Sequence, residues 1–155
     1  MINKIAIIGT GAMGLAIAGG MIKSGIIDAR NIVMSDVDSA KLQYASDKLG
    51  VATAQNNNDT IKDADVIILA VKPNIISSAV ESFSASLKKE QIIISIAAGI
   101  STAKIESFLS MKNAVIRAMP NTPCQVGAGA TAVCRGSYVS DDDIKKAFSI
   151  FEAVG

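Results

Sequence analysis

Short apolar runs alternate along this chain with segments of helical periodicity, and this alternation restricts the fold more than any other feature of the sequence. Apolar runs without polar alternation are typical of parallel strands that are buried on both faces. The predicted strands are 3–8, 31–35, 65–71, 91–96 and 113–117, and helical patterns occupy 12–24 and 38–49. We therefore predict an α/β fold: a Rossmann-type, doubly wound, mostly parallel sheet with helices on both faces.

Weaker signals place the remaining elements. Residues 51–54 and 131–134 read as short strands, and the polar cluster 55–59 reads as a loop and helix cap. Pro73 is expected at the start of a helix, Ser101 at an N-cap, and 140–143 in a capping box. The segment 119–131, MPNTPCQVGAGAT, should not be helical, because Pro120 and Pro123 each remove a backbone donor.

Composition narrows the classes of function. The 155 residues suit one domain, with 50% hydrophobic side chains for its core. A net charge of +1 without charged runs argues against a nucleic-acid or membrane partner. The two cysteines lie in no metal-binding spacing, so we expect no metal site, and free thiols in a reducing cytoplasm. Because histidine is absent, chemistry must rely on a cofactor, other side chains or residues outside this chain.

A glycine-rich segment follows the first predicted strand and opens the first predicted helix. It has the pattern G-x-G-x-x-G, and its residues are Gly9, Thr10, Gly11, Ala12, Met13 and Gly14. In this context Gly9 permits a tight turn, Gly11 lets a pyrophosphate approach the backbone, and Gly14 lets the helix pack on the strand. The helix N-terminus then supplies donors to the phosphates. The alternative is a glycine-rich turn without a ligand.

The second strand ends at Ser35, Asp36 and Val37, where a dinucleotide fold places the acid that binds a ribose 2′-hydroxyl. A carboxylate there repels a 2′-phosphate, and no arginine follows to accept one. Asp36 therefore favours NADH over NADPH. Alternatively, Asp36 or Asp38 caps the next helix, and both roles can coexist on the two residues.

Three further loops should face the same site, since ligands bind outside the carboxyl ends of parallel strands. The first, Ala70, Val71, Lys72 and Pro73, offers a lysine to a cofactor phosphate or ribose, although a surface lysine is usually only solvated. The second holds Ala97 and Ala98, whose small side chains allow a flat ring close to the backbone. The third is the proline-containing segment 119–131.

Four segments together resemble pyrroline-5-carboxylate reductase along residues 1–155. They are, in order, GTGAMG, AVKP, SIAAGI and IRAMPNTPCQVGAGAT. MPNTP is the most specific of their motifs, whereas AVKP and AAG are shared with the 6-phosphogluconate dehydrogenase-like group. The resembling family reduces the cyclic imine pyrroline-5-carboxylate to proline in proline biosynthesis, with NADPH or NADH.

The resemblance implies roles for matching positions. Residues from Ile8 to Met13 would hold the pyrophosphate, Ser35, Asp36 and Val37 would frame the adenosine ribose, and Asn57 would reach the adenosine end. Ala70 and Lys72 would line the cofactor, with Val71 and Pro73 beside them, and Ala97 and Ala98 would back the nicotinamide. Met119, Pro120, Asn121 and Thr122 would form the wall where nicotinamide and imine meet. The stiff loop would thereby orient a direct hydride transfer.

Two departures from the family pattern matter. Many NADPH-using members carry an Asn-Arg pair where this chain has Asp36 and Val37, so both NADPH and NADH are candidates. Family members also continue into a helical domain that forms the dimer and much of the imine site. The resemblance therefore implies that residues 1–155 are the cofactor-binding domain, that the intact protein is a homo-oligomer, and that this chain alone is weak or inactive.

Alternatives remain at this stage. One is that the chain belongs to another imine or β-hydroxyacid reductase of the same superfamily, and another is that it binds a dinucleotide without catalysis. No catalytic residue is assigned: Thr122 fits a turn hydroxyl better than a proton donor. Cys124 is expected to be an inert thiol. Arg117 is either a substrate-carboxylate ligand or an exposed charge at a strand end.

Overall fold

The computed structural model describes residues 2–155, in which strands and helices alternate. The strands are β1 (Ile5–Ile8), β2 (Ile32–Ser35), β3 (Ala52–Ala54), β4 (Val66–Leu69), β5 (Ile92–Ser95), β6 (Val115–Met119) and β7 (Ala132–Arg135). The α-helices are α1 (Ala12–Ser24), α2 (Ser39–Leu49), α3 (Asn57–Ile61), α4 (Ile76–Phe83), α5 (Thr102–Ser107) and α6 (Asp141–Glu152). Short 3₁₀ helices occupy Ala29–Asn31, Pro73–Ile75, Ser84–Ser86 and Thr122–Val126.

All seven strands form one sheet in the order β3-β2-β1-β4-β5-β6-β7. The first six run parallel, and β7 pairs antiparallel with β6. The last residue of β1, Ile8, lies level with Ser35 on β2 and with Leu69 on β4. The chain order reverses beside β1, so a crevice opens there at the carboxyl edge. The predicted Rossmann-type fold is confirmed.

Each face of the sheet carries its own hydrophobic core. On β1, Ile5 and Ile7 belong to the cluster under α1, α2 and α6, whereas Ala6 and Ile8 belong to the cluster under α3, α4 and α5. All four side chains are buried, because successive residues of a strand point to opposite faces. This double burial explains why the strands read as uninterrupted apolar runs.

The predicted helix caps are confirmed. Asn56 begins α3, Ser101 begins α5, and the side chains of both accept backbone N–H groups of the first turn. Ser140 and Asp143 form a reciprocal capping box on α6. Pro73 opens a 3₁₀ turn that leads into α4. Within residues 2–155, no helix combines the length and hydrophobicity that crossing a membrane requires.

The prediction that 119–131 contains no helix was wrong for Thr122–Val126, which form a 3₁₀ helix. Pro123 stands in its first turn, where a missing backbone N–H breaks no hydrogen bond. Gly127, with φ 73°, ends the helix in the left-handed region. The Asn121 Oδ1 atom then accepts the Ala130 N–H at 2.9 Å and closes the loop.

The end of the described chain anchors this loop. The N–H of Gly129 donates to the Val154 carbonyl at 2.9 Å. Val154 in turn packs on Gly20 of α1, so closely that a Cβ at Gly20 would collide with its side chain. Residues 119–131, α1 and the segment after α6 therefore form one packed unit.

Candidate functional site

A cleft of about 530 Å³ opens at the carboxyl edge of the sheet, above the ends of β1, β2 and β4. The helices α3 and α4 form its far wall. Its lining residues are Ile8, Gly9, Gly11, Ser35, Asp36, Val37, Lys41, Gln55, Asn56, Asn57, Asn58, Ala70, Val71, Lys72, Ile75, Ser78, Ala79 and Ser82. Most residues predicted from the sequence for the cofactor's pyrophosphate and adenosine therefore share one cavity.

The three glycines of the glycine-rich segment are required for different reasons. Gly9 has φ 109°, and a Cβ built on it would lie 2.5 Å from the Ala70 carbonyl oxygen. A Cβ on Gly14 would lie 2.6 Å from the Gly9 carbonyl oxygen. A Cβ on Gly11 would meet no protein atom within 4 Å, and Gly11 lines the cleft. Gly9 and Gly14 therefore serve the fold, whereas the space at Gly11 is open to a ligand.

No side chain caps the N-terminus of α1. Its N-cap, Gly11, has no side chain to offer, and the first turn contains no acidic residue. The first backbone bond of the helix joins the Leu15 N–H to the Gly11 carbonyl at 3.0 Å. The N–H groups of Ala12, Met13 and Gly14 have no intrahelical acceptor. Such a helix end attracts an anion through these donors and the helix dipole.

Asp36 reaches back to the glycine-rich segment. Its Oδ2 atom accepts the Thr10 N–H at 3.0 Å and the Thr10 hydroxyl at 2.8 Å. Its Oδ1 atom accepts the Asp38 N–H at 2.9 Å. Thr10 itself is buried, so it supports the site from behind without lining the cleft. Asp36 is thus bonded to the loop, and Asp38 caps α2 through the N–H groups of Ala40 and Lys41.

The charge of Asp36 is stabilised in this position. Partial burial acts to raise the pKa of its carboxyl, but the hydrogen bonds from Asp38 and Thr10 and the charge of Lys41 outweigh burial. The pKa of Asp36 therefore lies below that of an ordinary aspartate. The residue therefore presents a carboxylate to the cleft at neutral pH.

A polar chain crosses the cleft beside Asp36. The Ser35 hydroxyl donates to Asn57 Oδ1 at 2.8 Å, and Asn57 Nδ2 donates to the Ser82 hydroxyl at 2.9 Å. Ser82 in turn donates to the Ala79 carbonyl. This chain joins β2, α3 and α4, so it fixes the width of the cleft. Sequence reasoning identified Ser35 and Asn57 but missed Ser82, which lies 25 residues beyond Asn57.

Other lining residues were also missed. Lys41 lies in the first turn of α2, and Ile75, Ser78 and Ala79 lie on one side of α4 and its preceding turn. The cluster 55–58 was interpreted only as a loop and cap apart from Asn57. These residues lie on helices or in the turn before a helix, whereas the sequence motifs indicate only the loops that directly follow strands.

The residues predicted for the nicotinamide end do not line the cleft. Ala97 is buried and Ala98 is exposed after β5. At the same edge of the sheet, Met119 ends β6, and Pro120, Asn121 and Thr122 follow it. Met119 is 46% exposed and Thr122 stands in the 3₁₀ helix. Pro73 begins a turn at the cleft's margin and is exposed. Met13 is half-buried in α1 and Gly14 is buried behind it.

A second groove, of about 490 Å³, lies on the other side of α1. It runs between α1, α2 and the 3₁₀ helix, and Ala12 and Cys124 belong to its lining. The thiol of Cys124 is buried and free, as expected of an inert cysteine, and Cys134 is free and exposed. Arg117 is half-buried, and its Nε atom has no hydrogen-bond partner among the residues described.

No group of three or more His, Cys, Asp or Glu side chains within residues 2–155 is arranged to hold a metal ion. The anionic and polar groups of the cleft are instead distributed along its length. This distribution suits an elongated organic ligand with hydroxyl and phosphate groups.

Comparisons with known proteins agree with this geometry. The model of a family described as "NADP oxidoreductase coenzyme F420-dependent" matches residues 4–99. A pyrroline-5-carboxylate reductase of Methanosarcina acetivorans is 38% identical over 153 residues, which are 99% of this chain and 57% of that protein.

Solved structures give the same result. A pyrroline-5-carboxylate reductase from Coxiella burnetii, 38% identical, superimposes with a TM-score of 0.94 over 99% of this chain and 57% of its own. A pyrroline carboxylate reductase from Plasmodium falciparum, solved with NADP bound, is 29% identical with a TM-score of 0.87, over 99% of this chain and 55% of that one. The chain thus spans little more than half the length of these relatives.

Proposed function

The chain belongs to the NADP oxidoreductase, coenzyme F420-dependent family, and on that premise we propose that it is the dinucleotide-binding part of a pyrroline-5-carboxylate reductase. The intact protein would reduce the cyclic imine to L-proline with a nicotinamide dinucleotide. The observation that carries the proposal is the uncapped N-terminus of α1, which opens beside Gly11 onto a cleft of about 530 Å³ lined largely by polar residues.

The groups along the cleft fit successive parts of a dinucleotide. The free N–H groups of Ala12, Met13 and Gly14 suit the pyrophosphate, since they are donors at the positive end of a helix dipole. Asp36 and Ser35 stand where the adenosine ribose would lie, and Asn57 stands beyond them. Lys72 lies at the opposite end of the lining, after β4.

When bound, the dinucleotide supplies the hydride for the reduction. The chain's own residues bind and orient the reactants. The segment 119–131 is stiffened by its prolines, its 3₁₀ helix and the Asn121–Ala130 hydrogen bond. A stiff wall beside the reacting face raises the rate by holding two reactants in register. We therefore propose that Met119, Pro120, Asn121 and Thr122, with Ala97 and Ala98, face the nicotinamide and imine.

The finer choice between NADH and NADPH depends on Asp36. A carboxylate offers about four lone-pair sites. Three hydrogen bonds from Thr10 and Asp38 occupy most of them. About one acceptor site remains, which is enough for one ribose hydroxyl. We propose that NADH is accepted in this way.

Further features of the intact protein are proposed on the same basis. The imine site and the subunit assembly are expected in the part of the longer relatives that this chain does not span. The two free cysteines support a reducing cytoplasm as its location. A homo-oligomer that binds a small imine, and neither nucleic acid nor membrane, is the assembly we expect.

Calorimetric titration of residues 1–155 with NADH and NADPH tests the proposal. We expect one site per chain for at least one dinucleotide, and little imine-dependent oxidation of either by this chain alone. Addition of pyrroline-5-carboxylate to a longer protein that includes this chain should restore dinucleotide oxidation. Absence of binding at saturating concentrations of both dinucleotides would refute the binding role, and robust turnover by residues 1–155 would refute the assignment of the imine site elsewhere.

A further inference from the structure

We propose that Val154 is a positioning residue for hydride transfer, because it fastens the segment 119–131 to helix α1. The same helix would then set the position of the pyrophosphate, at its N-terminus, and of the wall beside the nicotinamide. The inference rests on the proposed function, which assigns those two roles. It adds a fully buried apolar residue that lines neither the cleft nor the second groove.

Val154 occupies a notch in α1 that requires a glycine. A Cβ at Gly20 would collide with the Val154 side chain and would lie 2.9 Å from the Ala153 carbonyl oxygen. The Val154 N–H donates to the Phe151 carbonyl at 3.1 Å, which fixes the residue at the end of α6. Gly20 lies about 12 Å along the helix axis from Ala12, whose N–H group is proposed for the pyrophosphate. The notch and the anion-binding end therefore belong to one rigid element.

The backbone of Val154 holds the other side of this contact. Its carbonyl accepts the Gly129 N–H at 2.9 Å. Gly129 has no room for a side chain, because a Cβ there would collide with the Cys124 Sγ atom and lie 3.0 Å from the Cys124 Cα. Cys124 and Val154 belong to the same hydrophobic cluster. The buried thiol therefore acts as a spacer that sets the distance between Gly129 and the 3₁₀ helix.

The position of Gly129 affects the proposed nicotinamide wall because the loop is closed on itself. Asn121 Oδ1 accepts the Ala130 N–H at 2.9 Å, so residues 121–130 form a ring. Gly129 lies within this ring, and Asn121 belongs to the wall. A shift of Gly129 therefore moves Asn121 as well. By this route Val154 controls the wall while lying outside it.

Three variants of a longer protein that includes this chain test the inference. Val154→Ala empties the notch, and Gly129→Ala forces the loop away from Cys124. Val51→Ala is the matched control, because it removes the same two methyl groups from the same hydrophobic cluster, before β3 at the amino edge of the sheet. Each protein is assayed for imine-dependent turnover, dinucleotide affinity and thermal midpoint. Turnover is also measured with a dinucleotide deuterated at the nicotinamide C4 position.

We expect Val154→Ala and Gly129→Ala each to lower kcat about 10- to 100-fold, because a misplacement of about 1 Å can cost about 100-fold in rate. Dinucleotide affinity should stay within about twofold, since the cleft is unchanged. The deuterium isotope effect should rise, because poorer alignment makes hydride transfer limit turnover. Val51→Ala should lower the thermal midpoint as much as Val154→Ala does, with kcat and the isotope effect unchanged.

An unchanged kcat and isotope effect in Val154→Ala would overturn the role of Val154. So would an equal loss of kcat in Val51→Ala, because general destabilisation would then explain both losses. A loss of dinucleotide affinity as large as the loss of kcat would also overturn it, since Val154 would then support binding and not alignment. A wild-type protein that binds neither dinucleotide, or that does not reduce the imine, would instead overturn the proposed function.

Discussion

One substitution, glycine to alanine, should have three different effects at three positions of α1 and its N-cap. At Gly11 the added Cβ meets no protein atom within 4 Å. At Gly14 it would lie 2.6 Å from the Gly9 carbonyl oxygen, and at Gly19 it would lie 3.6 Å from Leu49 Cδ2. The first space faces the cleft, the second is occupied by backbone, and the third is an ordinary van der Waals contact.

The expected magnitudes follow from these distances. Gly19→Ala should stabilise the chain by about 0.5–1 kcal/mol, because alanine has the higher helix propensity. Gly14→Ala gains the same propensity, but its collision with rigid backbone costs about 1–3 kcal/mol or more, so the net effect is destabilising. Gly11→Ala should change the free energy of unfolding by less than about 1 kcal/mol, since Gly11 has an extended φ of −72° that alanine adopts. Its methyl group should nevertheless weaken dinucleotide binding about 10- to 100-fold, by displacing a phosphate from charge-assisted hydrogen bonds.

Urea unfolding followed by circular dichroism measures the stabilities, and calorimetric titration with NADPH and NADH measures the affinities. Gly19→Ala serves as the control for glycine replacement in α1, because it lies outside the cleft and should keep full binding. A Gly11→Ala variant that binds like wild type would refute the placement of the pyrophosphate. A Gly14→Ala variant as stable as Gly19→Ala would refute the close packing of α1 on the glycine-rich segment.

Other expectations concern the groups behind the cleft and the core. Thr10→Val removes the 2.8 Å hydrogen bond from the Thr10 hydroxyl to Asp36, so it should lower the free energy of unfolding by about 1 kcal/mol and raise the pKa of Asp36. Urea unfolding measures the first effect and NMR titration of the carboxyl group measures the second, and an unchanged pKa would contradict the hydrogen bond. Because the pKa of Asp36 is depressed on folding, its stabilising contribution is full above the unfolded pKa of about 3.9 and is lost as pH falls through the lower folded pKa. Asp36→Asn should therefore flatten the acid limb of the stability–pH curve, and an identical limb would contradict that contribution. The buried Gln91 side chain donates to the carbonyls of Ile61 and Ala64 and accepts the Lys88 N–H. Gln91→Leu should therefore lower the free energy of unfolding by about 2–4 kcal/mol without changing dinucleotide affinity. A variant as stable as the wild type would show that these three backbone groups find other hydrogen-bond partners.

Some boundaries and one element were beyond the reach of sequence reasoning. The predicted strand 65–71 is shorter in the structure, Val66–Leu69, because pairing with β1 ends at Leu69 and the following residues line the cleft. The proline rule excluded a helix at 119–131, yet Pro123 sits in the first turn of a 3₁₀ helix, where its missing donor has no cost. The absence of a backbone N–H excludes proline only from positions where that N–H would form a hydrogen bond, and the sequence does not show where those positions are.

The architecture, and the edge of the sheet at which the cleft opens, could be predicted from local sequence patterns. Apolar runs of strand length, helical patterns between them and the spacing of Gly9, Gly11 and Gly14 are local properties, so they can be read without a structure. The roles predicted for individual cofactor ligands remain predictions. The structure shows only that most of those assigned to the pyrophosphate and adenosine share a cleft, while those assigned to the nicotinamide lie beyond it.

The partners of the individual polar groups depend on tertiary contacts and could not be predicted from local patterns. Asp36 and Asp38 are equally plausible caps in sequence, but Asp38 caps α2, and Asp36 is bonded to both Thr10 and the Asp38 backbone. Ser82 and Lys41 reach the cleft from helical faces that no strand-end motif indicates. Hydrogen bonds between residues 25 or 26 positions apart form only once the sheet has brought its loops to one edge, and for that reason no local pattern encodes them.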